Sequence, residues 1–265
     1  MWVLEGAMDL RKENKIININ FVANFILLII FILNSNNIYA NQKPDLTSIW
    51  DIKLGMSYED IPSKDFMFFA CGTDGGPPGK PLKNKFAGYN ECKEDKYGLR
   101  EVYFEYDDEA YYWALAYNDA HSSAFQGTRV FSHLSILSVL FDENGFVQGI
   151  KIITDDRATH SHRKGAPGLF LKLEGTFGKD VWECNEFEPS EGEIPVGESF
   201  MKKLCIKEKF DKTIFLRGDY YRKKGQTTFD TVTKKPTTGY FESRTRLEVY
   251  SNIVSINLDE YDWNE

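Results

Sequence analysis

Alternation of apolar and polar side chains runs through much of this chain and sets out its elements. Over residues 101–106, Val102, Phe104 and Tyr106 fall on one face of an extended segment. Residues 49–55 alternate in the same way and predict a half-buried strand. Apolar runs at 129–141 and 146–154 flank Asp142-Glu143-Asn144-Gly145, and Asn-Gly between two such runs is a strong hairpin signal. Further strands are predicted at 111–117, 213–221, 227–233 and 240–250, with Asp107-Asp108-Glu109, Gly225 and Pro236 marking turns. Helical spacing occurs in two short stretches. Residues 57–61 could begin a helix with Ser57 as N-cap and Glu59 and Asp60 in the first turn, limited by Pro62. Residues 168–177 place Leu169, Leu173 and Phe177 four apart, with Gly178 as a stop. Neither stretch is long enough to be stable alone, so each should pack on sheet, and Leu173 should be buried.

The four cysteines repeat one spacing. Cys71 and Cys92 enclose twenty residues, and so do Cys184 and Cys205. Four cysteines allow three pairings; the repetition favours Cys71–Cys92 and Cys184–Cys205. Each loop follows a helical stretch and precedes strands. The expected fold is therefore α+β, mainly antiparallel sheet with few short helices, in two tandem related halves that each carry one disulfide-closed loop. The halves would be 41–154 and 155–265, with one continuous domain as the alternative. The loop 72–81, dense in Gly and Pro, should be irregular.

Residues 1–40 read as a signal peptide. Arg11, Lys12 and Lys15 precede the apolar run 25–33, and Ala40 offers a cleavage point; Met8 is a plausible true start. An uncleaved anchor is the alternative, weakened by Asn18, Asn20 and Asn24. Export to a periplasmic or secreted location agrees with an even cysteine count. The hydrophobic fraction of 42% and charged fraction of 27% are ordinary for a globular protein. The aromatic fraction of 15% leans towards sheet. A net charge of −8 argues against nucleic acid as a partner. Charge is uneven: residues 207–246 carry eleven Lys/Arg and five Asp/Glu, whereas 180–198 carry seven carboxylates and no Lys or Arg. The basic strands would suit an envelope protein or an anionic cell-wall or lipid surface, unless the acidic segment folds against them.

Candidate chemistry is sparse. Asp155, Asp156, His160 and His162 put two carboxylates and two imidazoles within eight residues and could hold a divalent metal. The bland alternative is a solvated connection. Asn118 to Ser123 includes His121, Ser122 and Ser123, but there is no Gly-x-Ser-x-Gly elbow to present a serine. Gly79-Lys80 lacks the rest of a phosphate loop. Tyr111, Tyr112, Trp113 and Tyr117 could form a stacking platform or simply sheet core. No cofactor is implied. The expectation is an exported, disulfide-bonded, non-catalytic binding or envelope-associated module. The alternative is a metal-dependent envelope hydrolase built on Asp155, Asp156, His160 and His162.

Overall fold

Antiparallel pairing gathers ten strands into one sheet. The computed structural model describes residues 48–106, 128–158, 163–178, 182–223, 228–229, 236–237 and 241–254, all within a unit that extends from Asp45 to Glu265. The expected signal peptide, the strand at 111–117 with its aromatics, His121, His160 and His162 lie outside the described residues.

In chain order the strands are β1 (Met67–Cys71), β2 (Arg100–Glu105), β3 (Arg129–Val130), β4 (His133–Phe141), β5 (Val147–Thr154), β6 (Glu183–Glu186), β7 (Glu193–Ile194), β8 (Met201–Lys209), β9 (Lys212–Lys223), β10 (Thr228–Phe229), β11 (Pro236–Thr237) and β12 (Phe241–Ser251). The helix α1 spans Ala166–Thr176, and 3-10 helices span Ile49–Asp51 and Lys85–Glu91. The large sheet has the order β1-β2-β4-β5-β12-β9-β8-β6, with β3 on β4 and β7 on β9; β10 and β11 pair separately. The sheet is closed in the middle by β5 against β12, Lys151 facing Glu248 and Ile153 facing Arg246.

Local chemistry explains the elements that match the sequence pattern. The β4–β5 hairpin turns at Asp142, whose side chain accepts from the backbone N–H of Asn144 and Phe146, both at 2.9 Å. Gly145 takes the left-handed φ of +81° that the turn requires. In α1, Leu169 and Leu173 are fully buried, and the helix packs over β9 and β12. The sheet's core face is made by alternate residues such as Val102, Val139, Ile152, Leu216 and Leu247. At the β1 end, Phe66, Phe69, Phe86 and Phe104 interlock, with ring centroids 4.5 Å apart for Phe66–Phe104 and 5.0 Å for Phe69–Phe86.

Two expectations are corrected. Residues 49–55 begin with a 3-10 helix instead of a strand. Ser48 accepts from Trp50 N–H at 3.2 Å, and Asp51 accepts from Ser48 N–H at 2.8 Å, so a capping box outweighs the alternation. Residues 57–61 are turns, not helix, because tertiary backbone bonds hold them: Ser57 bridges Phe146, and Tyr58 N–H donates to Gly145 carbonyl at 2.9 Å. Within the strand expected at 227–233, Thr228–Phe229 are strand, and the other residues lie outside the described ones.

Both disulfides form locally, Cys71 with Cys92 and Cys184 with Cys205. Their settings differ. Cys184 and Cys205 face each other across β6 and β8. Cys71 ends β1, whereas Cys92 follows the 3-10 helix Lys85–Glu91. Equal spacing in sequence thus accompanies unequal local structure.

Candidate functional site

Alternation that sends Ile150 and Ile152 into the core sends Lys151 to the sheet's other face. The same rule puts Glu101 of β2, Arg246, Glu248 and Tyr250 of β12, and Arg217 and Asp219 of β9 on that face. An ammonium in mid-sheet is costly unless paired, and this one has three partners. Lys151 Nζ lies 2.6 Å from Asp74 Oδ1, 3.4 Å from Glu101 Oε2 and 3.9 Å from Glu248 Oε1. Arg246 bridges Asp74 and Glu248, the latter at 2.6 Å. Tyr250 hydroxyl donates to Glu248 at 3.3 Å. Arg217 pairs with Asp219 at 2.7 Å. Lys151, Glu101 and Glu248 are 4%, 7% and 2% exposed, so this is a buried ion network on a strand scaffold.

Two loops roof it. Residues 72–81 are tied down by the Cys71–Cys92 bond, by Gly72 N–H donating to Glu101 carbonyl at 2.8 Å, and by Cys71 N–H donating to Lys80 carbonyl at 2.8 Å. The loop presses close to the sheet because its glycines leave room. A Cβ at Gly72 would lie 2.2 Å from Glu101 Cγ, and one at Gly75, where φ is +86°, would lie 2.8 Å from Ile153 Cδ1. Asp74 at its tip therefore reaches Lys151 and Arg246. The second roof is the turn at Asp95, whose side chain accepts from Tyr97 N–H at 2.8 Å and Leu99 N–H at 2.9 Å. That turn sets Tyr97 against Tyr250, centroids 5.8 Å apart. Between roofs and sheet lies an open pocket of about 290 Å³. Its charged lining is balanced: Lys96, Lys151, Arg217 and Arg246 against Asp74, Asp95, Glu101 and Glu248. Arg217 also lines an adjoining pocket with Glu188, Lys202, Lys203 and Asp219, so the mixed-charge surface continues towards β8.

Electrostatics hold Asp74 and Lys151 ionised. Burial alone would raise the Asp74 carboxyl, but Lys151 and Arg246 hold it well below the usual carboxylate range. Burial alone would lower Lys151, but Glu101, Glu248 and Asp74 hold it above the usual lysine value. General acids and bases work best with pKa values near the operating pH. Asp74 and Lys151 are displaced away from it, in opposite directions.

No protein-family model, curated protein or solved structure matches this chain.

The residues singled out from sequence stand elsewhere. Asp155 is engaged by its neighbour: Arg157 Nε and Nη2 lie 2.9 and 2.8 Å from its two oxygens. Burial raises the Asp156 carboxyl, against the pull of Arg244 and Arg163. His160 and His162 lie outside the described residues, so the four are not seen together. Among the described residues, Glu174, Cys184 and Cys205 place three potential ligand atoms within 4.8 Å, but the disulfide takes both sulfurs. The acidic segment 180–198 meets Lys202 at 3.0 Å through Glu193 and Lys203 at 3.4 Å through Glu186, both cations preceding 207. Several basic residues of 207–246 find carboxylates in their own or adjacent strands, as Lys223 does with Glu242 at 3.0 Å. No sequence motif marks the pocket. Its signal is a charged residue at the centre of an apolar strand: Lys151 in Ile150-Lys151-Ile152-Ile153 and Glu248 in Leu247-Glu248-Val249-Tyr250.

Proposed function

We propose that this protein is an exported, non-catalytic binding module whose partner docks on the charged sheet face around Asp74, Lys151, Arg217 and Arg246. The balance of charges in the pocket, with Asp74 and Lys151 held in their charged forms, carries this reading. A polyanion such as a cell-wall polymer or lipid headgroups would meet as many carboxylates as cations there. A protein surface offers both signs, so an envelope protein fits best. Export rests on the expected signal peptide 1–40 and on two disulfides, which suit an oxidising compartment; among the described residues, no helix is long and apolar enough to cross a membrane. The architecture also supports two related halves. Each half, 41–154 and 155–265, supplies a cysteine strand at one sheet edge, and their last strands, β5 and β12, meet in the middle.

The test compares immobilised mature protein with its Arg217→Glu variant in an envelope extract. The expected result, at matched folded fraction because Arg217→Glu also breaks the pair with buried Asp219, is one protein retained stoichiometrically by the parent and lost by the variant. Equal retention by both would refute docking at this face. Stoichiometric zinc in the purified protein would instead favour the hydrolase reading through Asp155, Asp156, His160 and His162.

A further inference from the structure

The opposite face of the same sheet holds a second cavity, also of about 290 Å³, and its lining is of another kind. The short helices leave it. The 3-10 helix Lys85–Glu91 lies over β1 and β2, and α1 lies over β9 and β12. Between them, among the described residues, β5 and β12 are roofed by the segment from Ile49 to Leu54, with Phe177 of the α1 C-terminus at the side. Trp50 is held in that roof by ring contacts with Phe131 and Phe177, at 5.9 and 6.5 Å. The cavity walls are apolar: Trp50, Ile52 and Leu54 from the roof, Ile150, Leu247 and Val249 from the floor. Lys151 and Ser138 alternate to the far face and reach it only through main chain, whose groups are occupied in the β4–β5 ladder.

The charged side chains stand at the rim. Lys53 is exposed, its ammonium 2.5 Å from the Trp50 carbonyl. Lys212 is 3.9 Å from Asp211, a loose pair whose carboxylate is 67% exposed. An apolar cavity stays dry when empty and loses the contacts its walls could make, so it favours an apolar guest. Lys53 and Lys212 against the one carboxylate of Asp211 leave the rim a net positive charge, which favours an anionic head over a neutral one.

We propose that this cavity binds the acyl chain of a single-chain anionic amphiphile, a free fatty acid, with the chain between Leu54 and Val249 and the carboxylate at Lys53 and Lys212. Pockets of this volume are at the small end for ligand sites, which sets the guest as a medium-length chain. The site is independent of the charged face: a ligand here touches neither Asp74 nor Arg246.

Titration of the mature protein with brominated dodecanoate tests it, because bromine quenches a tryptophan in contact and Trp50 lines the cavity. Saturable quenching is expected, and Trp50→Phe should remove most of it. Leu54→Trp, which fills the cavity, should abolish binding. Since Leu54 is partly buried, the rim pair Lys53→Glu, at an exposed position, and Lys212→Glu, at a half-exposed one, serves as a second variant that leaves the cavity walls intact; it should weaken binding roughly tenfold, more at low salt. Dodecanol should bind more weakly than dodecanoate. Absence of saturable quenching, or quenching unchanged by both Leu54→Trp and the lysine pair, would overturn the proposal. Phosphatidylglycerol vesicles form a separate arm: quenching by brominated vesicles but not by free brominated dodecanoate would overturn the free acid as ligand and assign the site to a bilayer lipid.

Discussion

Lys151, 4% exposed between Ile150 and Ile152, would be expensive in mid-sheet without its carboxylates. The converse also holds. Without the ammonium, Glu101 and Glu248, whose side chains are only 8% and 2% exposed, lose the cation they share. Lys151→Met is therefore expected to lower unfolding free energy by about 3–5 kcal/mol, read by urea titration. A loss below about 1 kcal/mol would mean that water reaches the site as it does a surface pair. The pH dependence has a definite sign. Asp74 is held below its ordinary value, so its contribution is present above about pH 4 and fades as pH falls through that range and below. Lys151 is held above its ordinary value, so its contribution is complete below about pH 10 and fades only as pH rises further. Asp74→Asn should flatten the acid limb of a stability–pH curve and leave the neutral-to-alkaline limb in place. An unchanged acid limb would show that Asp74 is not held in its charged form by Lys151 and Arg246.

At the scale of the element, packing against the sheet decides what forms. The helix α1 has 11 residues and would be marginal in water by itself. Leu173, fully buried, anchors it, and Leu173→Ala should cost about 2–5 kcal/mol by the same urea assay. Gly218 lets the helix approach, since a Cβ there would lie 2.7 Å from Phe170 and 2.5 Å from Met201. The β4–β5 turn is equally constrained. Gly145 has φ of +81°, and a Cβ on it would lie 2.6 Å from Tyr58 and 3.0 Å from Tyr89. Gly145→Ala should cost about 1–2 kcal/mol for the backbone alone, and more for displacing the two rings. A stability equal to the parent's would mean that the turn has changed type.

For the whole molecule, the two disulfides should be separable by function. In the chain-entropy argument each closes a loop worth about 3 kcal/mol. Cys92→Ser with Cys71→Ser should lose about that much stability, and it also frees the loop that carries Asp74 over Lys151. The substitution of Cys184 and Cys205 by serine should lose a similar amount while β6 and β8 remain paired through their backbone ladder. Partner binding at the charged face should fall with the first pair and persist with the second. Equal loss of binding in both, at matched folded fraction, would separate the roof loop from recognition.

The chain alone determined what depends on neighbours in sequence. Asp142 to Gly145 specify a turn by side-chain caps and one left-handed residue. Residues 168–177 specify an amphipathic helix, and matched cysteine spacing pointed to two local disulfides. Where sequence and structure part, a non-local contact has won: Ser57 and Tyr58 are held by Phe146 and Gly145, almost ninety residues away, and cannot coil into a helix. A local cap misled in the opposite direction at Ser48 and Asp51, which turn an alternating stretch into a 3-10 helix. The charged site was legible only as a Lys and a Glu out of place in apolar strands. Its assembly needs β5 beside β12 in one register, and Asp74 brought to Arg246 across 172 positions. A shift of one residue would send Lys151 into the core and Ile152 onto the charged face, so only the tertiary pairing could decide that these side chains form one site.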